Sequence, residues 1–259
     1  MFIREIVHKQ LVNQKIMSSQ SETGHYKNVV NLKALKTFAT GLGTAYTPQK
    51  DTLQLPFLEA LVTEMTNLHQ DVKDQANTLS IAIDERQLVF QDVKPLATKI
   101  INTMSSTNVD FKLIEDAKAI NAKIQGVRVN KKKQTENPDQ PINNISVSRQ
   151  SYDSLYENFR SLVNLLEQDD KYSPLEEEVS IVGLTAKATR LLQANEKNAT
   201  ESNTLENLRI LRNKRFYQDE DCLLNVARDF KKYIRGKFGV NSPQFAQISG
   251  LEFKEIKPE

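Results

Sequence analysis

A chain of 259 residues, 39% hydrophobic and 26% charged, is long enough for one large core or two ordinary ones and sits at the polar end of the globular range. Eight Gly, eight Pro and no Trp weigh against a turn-rich β-protein, and a net charge of +2 excludes a global field that would draw the chain to nucleic acid or an anionic membrane. The single cysteine, Cys222, excludes an internal disulfide and reads as a small buried hydrophobe.

Residues 1–24 are expected to form an N-terminal extension, flexible or docked on a partner, because Phe2, Ile3, Ile6, Val7 and Leu11 share one helical face. Without a continuous apolar h-region it is not a secretory signal, and no run reaches the roughly 18–20 apolar residues that span a bilayer, so a cytoplasmic protein is expected. A helix over about 27–41 follows. Gly41-Leu-Gly43 is half of a dinucleotide fingerprint, but with no third glycine and no preceding strand it reads as that helix's C-terminus. Thr47-Pro48 then predicts a cap for the next helix.

From Leu58 the apolar or small positions run Leu61, Met65, Leu68, Val72, Ala76, Leu79, Ile83, Arg86, Phe90, Val93, Leu96, Ile100 and Met104, in steps of three and four. Pro95 should kink this segment. Unbroken, the helix would be ~80 Å long or more. The alternative is a hairpin that folds back at 75–80, with its counterpart at 195–204, where Asn, Ser and Thr weaken helix propensity. A short helix over 114–124, stopped by Gly126, ends this half of the chain.

Residues 130–150 read as a polar linker, and its Lys131, Lys132 and Lys133 as a solvated charge run. Beyond the linker the pattern recurs. At an offset of 126, Tyr46 falls on Tyr172, Pro48 on Pro174, Leu58 on Leu184, Met65 on Leu191, Leu79 on Leu205, Arg86 on Arg212 and Phe90 on Phe216. Two diverged helical repeats are therefore expected at 25–129 and 151–254, followed by a tail at 255–259. In the second, Ser173-Pro174 with Glu176 predicts a capping box, and Glu176, Glu177 and Glu178 favour the dipole of a first helical turn. Ser242-Pro243 starts a last short helix, and after Gly250 the apolar Leu251 and Phe253 are expected to fold back on the bundle. One stripe cannot bury itself, and two related stripes packed about a pseudo-twofold axis bury each other. The expected fold is all-α: an elongated antiparallel helical bundle or coiled coil built from two tandem diverged repeats.

Chemistry is sparse. His8, His25 and His69 are isolated from one another in sequence, and each reads as a polar surface residue. There is no Walker A loop or nucleophile elbow. No catalytic, cofactor-binding or metal-binding residue is predicted, and no small-molecule substrate is evident. The sequons at Asn144 and Asn198 mean nothing without a secretory signal. Arg86 and Arg212 sit on the core side of their stripes, where each guanidinium should reach a carboxylate or carbonyl with its stem beside Phe90 or Phe216; binding a ligand is the alternative. Residues 209–237 hold nine basic and four acidic residues. Within them Arg228, Lys231, Lys232, Arg235 and Lys237 are the candidate contacts for nucleic acid or an anionic surface, although Phe230 and Tyr233 fall in phase with the core stripe.

The stretches HYKNVVNLKAL, AYTPQKDTLQLPFLEAL and KFGVNSPQFAQISGLEF resemble a family of uncharacterised helical proteins of Bacteroidetes-type bacteria. The resemblance covers most of 25–254 and implies an all-helical, internally duplicated protein without supplying catalytic residues. The expected function is that of a non-enzymatic scaffold that self-assembles or binds protein partners. The alternatives are a membrane-active, pore-former-like protein and nucleic-acid binding through 209–237.

Overall fold

The computed structural model describes residues 20–127 and 150–256. The apolar N-terminal stripe, most of the linker with its three lysines, and the sequon at Asn144 lie outside the described residues. Within them the chain is helical and contains no strand: α1 (Gln20–Gly41), α2 (Leu55–Phe90), α3 (Val93–Ser105), α4 (Phe111–Gln125), α5 (Tyr152–Leu166), α6 (Ile181–Asn213), α7 (Leu223–Phe238) and α8 (Pro243–Ser249). No helix among the described residues is long and apolar enough to cross a membrane.

Both long segments are continuous through 75–80 and 195–204, so the hairpin alternative is not realised. They are nevertheless shorter than expected. The 36 residues of α2 span about 54 Å, and the chain breaks at Gln91-Asp92 where a kink at Pro95 was expected. Pro95 instead lies in the first turn of α3, where a missing N–H costs no intrahelical bond. The second segment breaks likewise: α6 ends at Asn213, a π-helical turn covers Lys214–Gln218, and α7 starts afresh after Cys222. Cys222 is fully buried at that start.

Two expected caps are also corrected. Neither Thr47-Pro48 nor Ser173-Pro174 begins a helix. Each precedes a single 3-10 turn, Asp51–Leu53 and Glu177–Val179, and the long helices start only at Leu55 and Ile181. The α6 cap is Ser180, whose Oγ accepts the Gly183 N–H at 3.1 Å. Glycine is required at 183, since a Cβ there would lie 2.0 Å from the Glu177 carbonyl oxygen. Glu176, Glu177 and Glu178 accordingly flank the 3-10 turn, with Glu178 paired to Lys99. Ser242 caps α8 as its Ser-Pro pair predicts, accepting from the Phe245 N–H at 3.1 Å with Pro243 in the first turn.

The described residues divide into two compact units, one drawn from Met1–Ala76 and Thr204–Glu259, the other being Asn77–Asn203. The units do not coincide with the segments 25–129 and 151–254, since each takes a part of both. In the first, Leu32 and Leu35 of α1, Leu58, Leu61 and Met65 of α2, and Phe230 and Ile234 of α7 close one core with Phe216. In the second, Phe90, Ile100 and Met104 pack with Ile124 of α4, Phe159 and Leu162 of α5, and Leu184 and Leu191 of α6. The middle of the first predicted stripe is buried only in part: Ala76, Leu79, Ile83 and Arg86 are half-buried, whereas its members from Leu58 to Val72 and from Phe90 to Met104 are buried.

The same turn occurs in both units. Tyr46 donates its hydroxyl to the Leu53 carbonyl at 2.5 Å, and Tyr172 donates to the Val179 carbonyl at 2.8 Å. Both phenols are buried, and burial is the main cause that raises both pKa values, Tyr172 to about 12. A phenol harder to ionise in the folded chain than at its ordinary 10.0 contributes stability that is intact below pH 10 and is lost as pH rises towards 12. Tyr172→Phe and Tyr46→Phe should each cost about 1–2 kcal/mol at neutral pH, because a buried carbonyl loses its donor. Denaturant unfolding of each variant checks this, and a loss indistinguishable from zero at both sites would remove the turns from the account.

Candidate functional site

The predicted site residues separate once they are placed. Arg86 is half-buried in the second unit, its guanidinium 4.3 Å from the centre of the Tyr152 ring, which itself packs against Phe90. The guanidinium meets an aromatic face there. Arg212 is buried in the first unit, with Nε and Nη2 donating to Asn213 Oδ1 at 3.3 and 3.2 Å.

The basic segment is largely engaged by its own unit. Arg215, on the π-helical turn, places a fork on Glu64 at 2.6 and 2.9 Å and reaches Asp219 at 3.1 Å and Asp221 at 2.9 Å. Arg209 pairs with Glu206 and Lys232 with Asp229. Asp229 also meets Lys50 at 2.5 Å, and that contact chiefly holds its carboxyl below the usual range. Lys237 donates to the Thr47 hydroxyl at 2.6 Å, and Arg228 lies 3.5 Å from Asn225 Oδ1. Phe230 is fully buried and Tyr233 half-buried, as their phase predicts. Of the five candidate contacts, Arg228, Lys232, Arg235 and Lys237 are exposed. Lys231 is not: it donates to the Ser249 and Leu251 carbonyls at 3.0 and 2.5 Å, closing the C-terminal end of α8, and burial lowers its pKa.

The most elaborate polar arrangement lies where none was expected. His25, predicted at the surface, is 2% exposed, and its Nδ1 is 2.7 Å from the Tyr217 hydroxyl. Asn28, also 2% exposed, donates to that hydroxyl at 3.2 Å and to the Lys254 carbonyl at 2.8 Å, and its Oδ1 accepts the Lys254 N–H at 3.2 Å. One turn further on, Asn31 donates to the Glu252 carbonyl at 2.7 Å. Burial is the main cause that pushes the Tyr217 pKa up, to about 12. Two side chains of α1 thus address the main chain of residues 252 and 254, and His25 and Tyr217 complete the cluster beside them.

No family model, curated protein or solved structure matches this chain.

The sequence carried a signal for this cluster. Residues 25, 28, 32, 35 and 39 are spaced as one helical face, and Leu32, Leu35 and Ala39 are core. Continuing the stripe backwards places His25 and Asn28 inside. Their partners lie 189 to 226 residues away, beyond the reach of any local pattern. Among the described residues no group of three or more His, Cys, Asp or Glu is placed to hold a metal ion. What the cluster offers chemically is a set of amide and hydroxyl groups matched to peptide N–H and C=O.

Proposed function

We propose that this chain is a non-enzymatic structural or interaction protein, a helical scaffold of two tandem diverged repeats, 25–129 and 151–254, packed antiparallel, that self-assembles or binds protein partners. The observation that carries this reading is the twin turn: Tyr46 to Leu53 and Tyr172 to Val179 match in donor, acceptor and seven-residue span at the 126-residue offset. Two ion pairs of the second unit support the antiparallel arrangement. Lys187 pairs with Asp92, in the break after α2, and Lys197 with Glu85 of α2, so position rises along α6 as it falls from that break into α2.

The division into units supports a fold in which each unit takes part of both segments. Each unit combines a Tyr turn and the start of one long helix with the end of the other. Apolar anchors for a partner are present in the second unit, where Leu88, Phe111, Leu175 and Val182 are between 69% and 101% exposed. The nucleic-acid alternative has less support, because Arg209, Arg215 and Lys232 are engaged by carboxylates. Light scattering across a concentration series tests self-assembly. A mass rising above the 29.5 kDa of one chain is expected, and one-chain mass at every concentration would contradict it.

A further inference from the structure

Residues 251–256, LEFKEI, lie beyond α8 and are held in an unusual way. Past the turn bond from the Leu251 N–H to the Ile248 carbonyl, their main-chain groups are bonded by side chains: Lys231 at 251, Asn31 at 252 and both ends of the Asn28 amide at 254. The two-residue spacing of the asparagine contacts is that of an extended chain, whose alternate main-chain groups face the same way. Leu251 and Phe253 turn towards the core of the first unit, and Phe253 lies beneath the Lys231 ammonium at 5.9 Å. Ile256 fits over Gly24, where an added Cβ would come within 2.7 Å of its terminal methyl. Glu252 points outward among Lys27 of α1, Lys231 of α7 and its own neighbour Lys254.

Such a seat reads backbone plus a sparse pattern of apolar side chains, which is how proteins recognise extended peptides. A segment needed only to finish a core has no use for a buried and a half-buried asparagine matched to its peptide groups, because burying polar groups is costly unless each is satisfied. We propose that the groove formed by α1, α7 and the π-helical turn is a peptide-binding site, that residues 251–256 occupy it as a resident strap, and that its other ligand is an extended segment of a partner protein with apolar residues at the first, third and sixth places and an acid at the second. The acid is specified by Lys27 and Lys231, and the aromatic third place by the seat of Phe253. This deepens the partner-binding side of the function proposed above and rests on it.

Strap and partner compete for one groove, which fixes the signs of the test. Weakening the strap raises the apparent affinity for a peptide added in trans, since the competent fraction grows. Weakening the groove acts on strap and peptide alike, so its effect shows only once the strap is open. A fluorescein-labelled peptide SGLEFKEI, matching residues 249–256, is titrated by anisotropy into the full chain and into full-length Phe253→Ala. Saturable binding is expected for both, tighter in the variant by about tenfold, the factor lost with an aromatic anchor worth about 1.4 kcal/mol. Adding Asn31→Asp to the strap variant, which sets a carboxylate against the carbonyl of the second ligand residue, should reverse the gain. Ile256→Ser serves as the strap variant if Phe253→Ala does not fold, judged by helical circular dichroism.

Absent binding in wild type and in a folded strap variant, equal binding of a scrambled peptide, or equal affinity with strap weakened or intact would each overturn the site. Binding seen only as the chain doubles in mass would assign the groove to a second copy and overturn the partner. Light scattering of the chain alone reports self-assembly separately, so failure of the groove and failure of the assembly reading are distinguishable.

Discussion

Phe230→Ala should lower the stability of the protein by about 3–5 kcal/mol, the range for emptying a fully buried aromatic site. Phe230 is 0% exposed at the centre of the α7 face, with the Tyr46 ring 5.8 Å and the Phe38 ring 6.3 Å away. Truncation removes the ring's own transfer free energy and leaves a space that these neighbours fill only in part. Loss of their edge and tilted contacts adds about 0.5–1.5 kcal/mol per pair. Tyr46 is itself fixed by its bond to the Leu53 carbonyl, which limits its movement into the gap. A surface change on the same helix, Lys232→Ala, should stay within about 0.5 kcal/mol, because an exposed pair with Asp229 contributes little. Urea unfolding of the two variants side by side checks the contrast, and a Phe230→Ala loss below about 1 kcal/mol would mean that α7 does not form the core.

The second large effect is expected at Arg215→Ala. One guanidinium there meets three carboxylates, forking onto Glu64 from the π-helical turn and reaching Asp219 and Asp221. These contacts hold the Arg215 pKa above its ordinary value, the Glu64 hydrogen bond being the largest cause. Removing the cation leaves three negative groups facing one another. A fully buried pair broken in this way costs about 3–5 kcal/mol. Here the side chains of Glu64 and Asp221 are 40% and 41% exposed, so solvent screens part of the repulsion and about 2–3 kcal/mol is expected. Added salt should reduce the loss. Arg215→Lys should restore little, since an ammonium cannot reproduce the fork. A salt-independent loss, or full rescue by lysine, would show that the carboxylate cluster is not what Arg215 holds.

How far these features were legible in sequence varies with the range of the interaction that sets them. The stripe from Leu58 to Val72 could be read because burial repeats with the helix itself, and every member of it is buried. The break at Gln91-Asp92 could not, because Phe90, Val93 and Leu96 keep steps of three across it and the phase shows no fault. Ser173-Pro174 carries a cap signature that the fold does not use. The Tyr172 hydroxyl bonds the Val179 carbonyl instead, and helix starts only two residues later at Ile181. Nothing local to residues 173–176 encodes that bond.

The candidate site was the least legible part. Counting cations over 209–237 singled out Arg215 only as one charge among nine, because its partner Glu64 is 151 residues away. Asn28 and Asn31 look like ordinary surface asparagines until residues 252–256 are seen to lie against them. In each case the local pattern fixed which face a residue occupies, and the identity of the opposing group came from a distant part of the chain.

Each compact unit draws on both 25–129 and 151–254, and zero-length carbodiimide cross-linking tests this most directly, since it joins only amines and carboxylates already in contact. Material of one-chain mass should yield Glu85 to Lys197, Asp92 to Lys187, Lys50 to Asp229 and Lys99 to Glu178, every link joining 25–129 to 151–254. Cross-links confined within 25–129 and within 151–254 would contradict it.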